Sequence, residues 1–415
     1  MDEGGLSENE LGAVFTCGAW SVQGGRFLVG IARDKYGTRV TVCMCLFLVA
    51  IGSLLIACSE SNNLAGICFG MLFLGMGSGA QLCVQPVAGL FPEATSTAMA
   101  TLSGAFQLSG LVFLTCSLVA KSGGERFGAY LGHALFVAVL FMFSLKVLPK
   151  GVSFAIVDVS SETKGNEKDV DNSLTIDEVD VSDDSKTKAP EEAKETDSVP
   201  VPTVPSKTHT SPAVHFGKSR KQLFTCDEFL ALIFWFSVMV TPSQYYVLSI
   251  GYQLERMGDT DGSYSTAFGL IYGFSAPLAP LAGLCADTMG VGFAQGMASI
   301  LSAIGFALLF VDDLSAQYFG MACYSVGRMM LFATFFANIG RRFGYVHYGS
   351  LVGVGMLTSA VLSMLQYPAY QAALGGDNAL TNVNVVCLVS TVACVPYCVW
   401  LGARERREWK RNRDN

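Results

Sequence analysis

Arg328 has the most chemistry to offer. It sits in an apolar run over 315–338, 13 residues before Arg341. In a helix rising about 1.5 Å per residue, that is roughly 20 Å from the basic end of the run. Snorkelling cannot cover that distance, so the guanidinium must face a cavity or a partner. A guanidinium can grip a carboxylate through two parallel N–H donors. A structural charge held by backbone carbonyls is the plainer alternative. Gln107 falls in the middle of another run, where a buried amide needs partners. It can bond a solute or bridge two helices. Gln81 and Gln85 lie at helical spacing at the end of a third run, and Gln244, Tyr245 and Tyr246 fall within a sixth. Their amides and phenolic hydroxyls can touch a ligand or pack as core. Arg26 stands eight residues before Asp34, about 12 Å into its helix. There it can snorkel or pair near the basic face.

What is missing narrows the chemistry. No Asp or Glu falls near the middle of any apolar run. Proton-coupled carriers usually keep an acid or His relay inside the membrane, so facilitated diffusion is the expectation. No Walker loop, nucleophile elbow or zinc spacing is present. The chain is therefore read as no enzyme, with no cofactor and no metal. It lacks a basic face with interleaved aromatics, so nucleic acid is not an expected partner.

The elements that must position these residues follow from composition. The chain has 415 residues, 51% of them hydrophobic and only 15% charged. Soluble chains carry roughly 25% charge. The 13 cysteines mostly sit in apolar runs and read as small buried hydrophobes rather than a disulfide framework. A spanning helix needs about 20 mostly apolar residues. Eleven such runs are legible, at 11–31, 39–58, 64–85, 97–120, 127–148, 227–250, 264–286, 292–311, 315–338, 347–372 and 380–403. The expectation is an all-α, multi-pass membrane protein in a lipid bilayer, with the plasma membrane as the default.

Orientation follows from Lys and Arg between the runs. Arg33, Lys35, Arg39, Lys146, Lys150, Lys218, Arg220, Lys221, Arg341, Arg342 and the tail from Arg404 all fall on one side if the runs alternate. That side is taken as cytoplasmic. Residues 151–210 hold 14 Asp and Glu against 6 Lys, and so carry the net charge of −7. Residues 151–222 read as a disordered acidic linker, a solvated tether whose Ser and Thr also invite phosphorylation. The chain thus divides into a bundle at 1–150, the linker, a second bundle at 223–403 and a basic tail at 404–415.

A repeated element links the two bundles. Gly30, Asp34, Lys35, Gly37 and Arg39 form G-x-x-x-D-K-x-G-x-R after the first run. Gly283, Asp287 and Gly290 form G-x-x-x-D-x-x-G after the seventh. Matched elements in corresponding places point to parallel repeats. The glycines suit tight turns and close helix approach. An aspartate at a helix end can accept from the exposed N–H groups of a neighbouring helix. The lysine and arginine can pair with carboxylates or lipid phosphates.

At these residues the chain resembles the major facilitator superfamily, whose signature reads G-x-x-x-D-R/K-x-G-R-R/K. The resemblance implies two six-helix bundles around a cavity that opens alternately to each side, with these motifs as a cytoplasmic gate. Here the motif follows the first run rather than the second. The first of the usual twelve helices is therefore expected to be missing, most simply because the chain continues upstream of Met1.

Two further stretches are similar to the system L large-neutral-amino-acid uniporters and their fungal and protozoan relatives. One is GLFPEATSTAMATLSGAFQLS at 89–109. The other combines RMMLF from Arg328, RFGYVHYGSLVG from Arg342 and LQYP at 365–368. Gln107 stands where that family often has Asp. This likeness implies a uniporter of amino acids, large and neutral, with Arg328, Gln107, Gln244, Tyr245, Tyr246, Gln81 and Gln85 as candidate substrate contacts. The alternatives are a carrier of nucleobases or cationic amino acids, or a non-transporting sensor or scaffold that kept the fold.

Overall fold

The structure, a computed structural model, describes residues 8–60, 62–109, 125–151 and 218–414, with isolated positions at 112, 115, 116, 119, 123 and 215. Nearly all of the expected linker at 151–222 lies outside the described residues, as does most of 110–124. Every regular element among the described residues is helical.

The first part of the chain forms α1 (Glu8–Tyr36), α2 (Thr38–Cys58), α3 (Leu64–Gly77), α4 (Ala80–Val84), α5 (Thr95–Leu108) and α6 (Arg126–Val147). The second part forms the short α7 (Arg220–Phe224), then α8 (Asp227–Arg256), α9 (Ser263–Phe274), α10 (Ala279–Met289), α11 (Val291–Leu308), α12 (Leu314–Phe343), α13 (Tyr348–Ser363), α14 (Gln366–Ala373), α15 (Asp377–Ala393) and α16 (Val395–Asp414). Several of these join end to end: α3 and α4, α9 and α10, α13 and α14, and α15 and α16 each make one continuous path across the apolar layer.

Nine paths among the described residues are long and apolar enough to cross a membrane, against the eleven read from the sequence. The two others have identifiable causes. Helix α1 has 29 residues, but Ser21, Gln23, Arg26 and Arg33 dilute its apolar face. These side chains are all buried, because they point inward. Helix α5 is described for 14 residues, and its expected continuation lies outside the described residues. At the other extreme, α6 exposes Leu135, Phe136, Val139, Met142 and Phe143. Such a surface is stable against lipid rather than water. Its one imidazole, His133, turns inward to a 2.8 Å hydrogen bond with Ser53 Oγ on α2. The chain is thus an integral multi-pass membrane protein of all-α architecture.

Contacts between the two parts of the chain run along two seams. Helix α1 lies along α13, and α5 lies along α10 and α12. The largest core cluster fills the space between α8, α12 and α13, where Phe236 stacks on Phe335 with centroids 3.8 Å apart. A second cluster surrounds the far half of α8, with Tyr246 stacked on Tyr324 at 3.7 Å. All 13 cysteines are free thiols. Helix α16 runs without a break through residue 403, and beyond it Glu405 turns back to accept from the N–H groups of Val291 and Gly292 at the start of α11.

Candidate substrate cavity and its gate

The two seams leave a small cavity between them, of about 70 Å³. Its walls come from both parts of the chain. Val22, Gln23 and Arg26 of α1, Gln81 of α4, and Ser103, Phe106 and Gln107 of α5 form one side. Gln244, Tyr272, Arg328, Met329, Phe332, Phe336 and Met356 form the other.

Arg328 reaches this cavity from the middle of α12. Its Nε donates to the Tyr272 hydroxyl at 3.0 Å, one Nη to Ser243 Oγ at 2.7 Å, and the other to Gln244 Oε1 at 2.9 Å. Its guanidinium carbon stands 5.4 Å from the Phe332 ring centroid and 5.9 Å from that of Tyr272. These cation–π contacts and neutral acceptors hold the group in one orientation. No carboxylate pairs with it among the described residues. A desolvated cation compensated only by dipoles is set to attract an anion.

Arg26 lies in the same cavity, where the sequence suggested a place near the basic face. It is 1% exposed. Helix α1 turns it inward against the Phe106 ring at 4.6 Å and the Phe336 ring at 5.8 Å, and it donates to Gln81 Oε1 at 2.8 Å. Depth along the helix was legible; the facing direction needed the packing of α1 on α13. Tyr272, Gln23 and Ser243 were also missed. Hydroxyls and amides in apolar runs are common helix glue, so composition alone does not single them out.

Of the other sequence candidates, Gln244, Gln81 and Gln107 reach the cavity. Gln107 also bridges helices, donating to the Tyr272 carbonyl at 2.8 Å and Ser275 Oγ at 2.7 Å. Three candidates do not line it. Gln85 turns away from Gln81 because the chain tightens into a 3-10 turn at Gln85–Leu90; it accepts from the Tyr348 hydroxyl. Tyr245 faces Asn384 at 3.3 Å, and Tyr246 is locked in the second core cluster. Consecutive residues point some 100° apart on a helix of 3.6 residues per turn. Gln244 takes the inward direction, so its two neighbours cannot.

The repeated motif ties the two parts of the chain together at the basic side in a reciprocal manner. Asp34, at the end of α1, accepts from the backbone N–H groups of Gly349 at 3.2 Å and Ser350 at 2.7 Å, at the start of α13. Asp287, at the end of α10, accepts from Ser96 N–H at 3.0 Å and Thr97 N–H at 2.9 Å, at the start of α5. Each part of the chain caps a helix of the other, and each carboxylate meets the positive end of a helix dipole. Arg33 lies 3.0 Å from Asp34, and Arg341 3.6 Å from Asp287.

The glycines permit the approach. A Cβ on Gly30 would lie 2.1 Å from the Gly349 carbonyl oxygen, and one on Gly283 would lie 2.3 Å from Thr97 Cα. Gly37 and Gly290 turn the chain with φ of 82° and 97°, a region that favours glycine. Arg39 donates to the Leu148 carbonyl at 2.6 Å instead of pairing with an acid, and the Lys35 ammonium stands 5.2 Å from the Tyr36 ring.

Comparison with known proteins agrees with this architecture. The Major Facilitator Superfamily description matches residues 1–366. The chain belongs to the major facilitator superfamily. Within that superfamily it is 23% identical over 437 residues to equilibrative nucleobase transporter 1 of Bos taurus, covering 96% of this chain and 85% of the relative. It is 25% identical over 429 residues to arginine transporter 1 of Toxoplasma gondii, covering 96% and 76%. Among solved structures, the proton:xylose symporter XylE superposes with a TM-score of 0.62 at 11% identity, covering 94% of this chain and 86% of that one. That likeness carries the fold alone. As a member of the superfamily, this chain is a membrane transporter of small molecules.

Proposed function

We propose that this major facilitator protein moves a small carboxylate-bearing solute by alternating access, as a uniporter, with the carboxylate docked on Arg328. The observation that carries this reading is a buried guanidinium held by Tyr272, Ser243 and Gln244 with no acid beside it among the described residues. Amino acids meet the carboxylate requirement, and they are the class that the system L-like stretches imply. Phe106, Phe332, Phe336, Met329 and Met356 supply apolar wall for the rest of the solute. The Asp34 and Asp287 caps act as the gate on the cytoplasmic side: breaking them would free α13 from α1 and α5 from α10. No acid lines the cavity among the described residues, which supports facilitated movement over proton symport.

A second reading has the cavity take a nucleobase, stacked flat on Phe106, Phe332 or Tyr272. The named activity of the bovine relative favours it. Flux of radiolabelled leucine, glutamate and hypoxanthine into proteoliposomes, with and without Arg328→Gln, separates the two. Saturable uptake of a carboxylate solute that Arg328→Gln abolishes supports the proposal. Saturable hypoxanthine uptake indifferent to that substitution rejects it.

A further inference from the structure

Arg328 is one of two guanidiniums in the cavity, and the second changes what the cargo must be. Arg26 is buried and has no carboxylate partner among the described residues. Its Nε and the Nε2 of Gln81 are buried donors without a hydrogen-bond partner among the described residues. Both belong to residues lining the cavity, and one Nη of Arg26 already holds the Gln81 carbonyl oxygen. Unsatisfied donors beside a desolvated cation call for a strong acceptor rather than an apolar group.

Arg26 stands over Phe336 and Arg328 over Phe332, one turn apart on α12. The cavity lining holds two positive charges and no negative one. A neutral zwitterion would offer one carboxylate to two guanidiniums and bring its ammonium beside them with no acid in the lining to receive it. A cationic solute would fare worse.

We propose that Arg26 and Arg328 form a two-point anion site and that the cargo is a small dicarboxylate, acidic amino acids included, with one carboxylate on each guanidinium. This rests on the Arg328 reading above and narrows it to net-negative solutes. Arg26 belongs to α1 and Arg328 to α12, so such a cargo bridges the two parts of the chain. Binding would draw the cavity walls together through charge-assisted hydrogen bonds on both sides.

The test uses the full chain in proteoliposomes and in detergent. Radiolabelled succinate is the transport probe; glutamate, leucine, arginine and hypoxanthine are unlabelled competitors. Saturable succinate uptake is expected, competed by glutamate and by none of the other three. Arg26→Gln is expected to raise its KM at least tenfold, while Arg26→Lys retains part of the affinity. Because Arg26→Gln can also impair folding, the melting temperature is read in parallel. Succinate should raise it in the native protein and in Arg26→Lys, and leave it unmoved in a folded Arg26→Gln. Leucine uptake that depends on Arg328 but not on Arg26 overturns this inference and leaves the carboxylate reading standing. Absence of both succinate uptake and a succinate-induced melting shift in the native protein overturns the inference as well. If leucine and glutamate also show no saturable uptake, the carboxylate reading falls with it.

Discussion

Arg328 illustrates how a costly residue becomes useful. Removing a guanidinium from water costs several kcal/mol even after relaxation. Four neutral partners, the Tyr324 hydroxyl at 3.4 Å among them, and two rings recover part of that cost without cancelling the charge. An acid in the same place would have recovered more and closed the site to anions. On the proposed reading, the partners act as positioning residues. Ser243→Ala and Tyr272→Phe each remove one hydrogen bond to a charged group, worth about 1.5–3 kcal/mol. Each substitution should raise the KM for the transported carboxylate solute by roughly tenfold or more with little change in the amount of folded protein. Uptake kinetics beside a detergent melting curve check this; an unchanged KM in both variants would detach these residues from the site.

At the scale of elements, the seams depend on backbone contact that only glycine allows. A methyl group on Gly30 would enter the space of the Gly349 carbonyl, so Gly30→Ala must push α1 away from α13. We predict that this substitution leaves the helices formed but holds the cytoplasmic side open. Labelling of an introduced cysteine at Ser350, buried here beside Asp34, should accelerate several-fold with a membrane-impermeant maleimide added to inside-out vesicles. Gly283→Ala should act alike at the α5–α10 seam, read at Ser96.

A different element-scale feature is the buried cluster in which Glu228 at the start of α8 pairs with Arg342, while Arg342 also meets Glu408 of α16 at 3.0 Å. His215 Nε2 lies 3.1 Å from Glu228, and Arg404 lies 3.3 Å from it. Glu228→Gln leaves two guanidiniums and an imidazole short of their shared acid. Breaking buried pairs costs about 3–5 kcal/mol, so the melting temperature should fall by several degrees. An unchanged melting point would mean that Glu408 alone compensates Arg342.

Across the whole molecule, the two caps form a matched pair. Each aspartate accepts at least two backbone N–H bonds from the opposite part of the chain, and losing a helix cap costs about 0.5–2 kcal/mol. If closure is a single two-state rearrangement, the costs add in its free energy. Asp34→Asn and Asp287→Asn should each shift the population toward the cytoplasm-open state, and the double variant by the product of the two factors. Double electron–electron resonance between spin labels on α1 and α13 measures that population. A double variant no more open than either single one would show that the caps report on separate motions.

Much of this was legible before any coordinates. Low charge and long apolar runs dictate a multi-pass helical protein, because backbone polar groups in lipid must bond within a helix. The repeated G-x-x-x-D pattern marked the two aspartates that, at the ends of α1 and α10, accept from backbone N–H groups of the other part of the chain. The depth of Arg328 was countable along its own helix. Azimuth was not. Whether Arg26 faces lipid, a neighbour or the cavity depends on how α1 packs against α13. Whether Gln85, Tyr245 and Tyr246 reach the solute path depends on a local tightening of one helix and on which neighbour takes the inward direction. Rise per residue is a property of the chain itself, whereas the direction a side chain faces is set by its neighbours. The sequence therefore determined that Arg328 lies deep in the membrane and left Arg26 within reach of the basic face; only the tertiary structure decided that the two share one cavity.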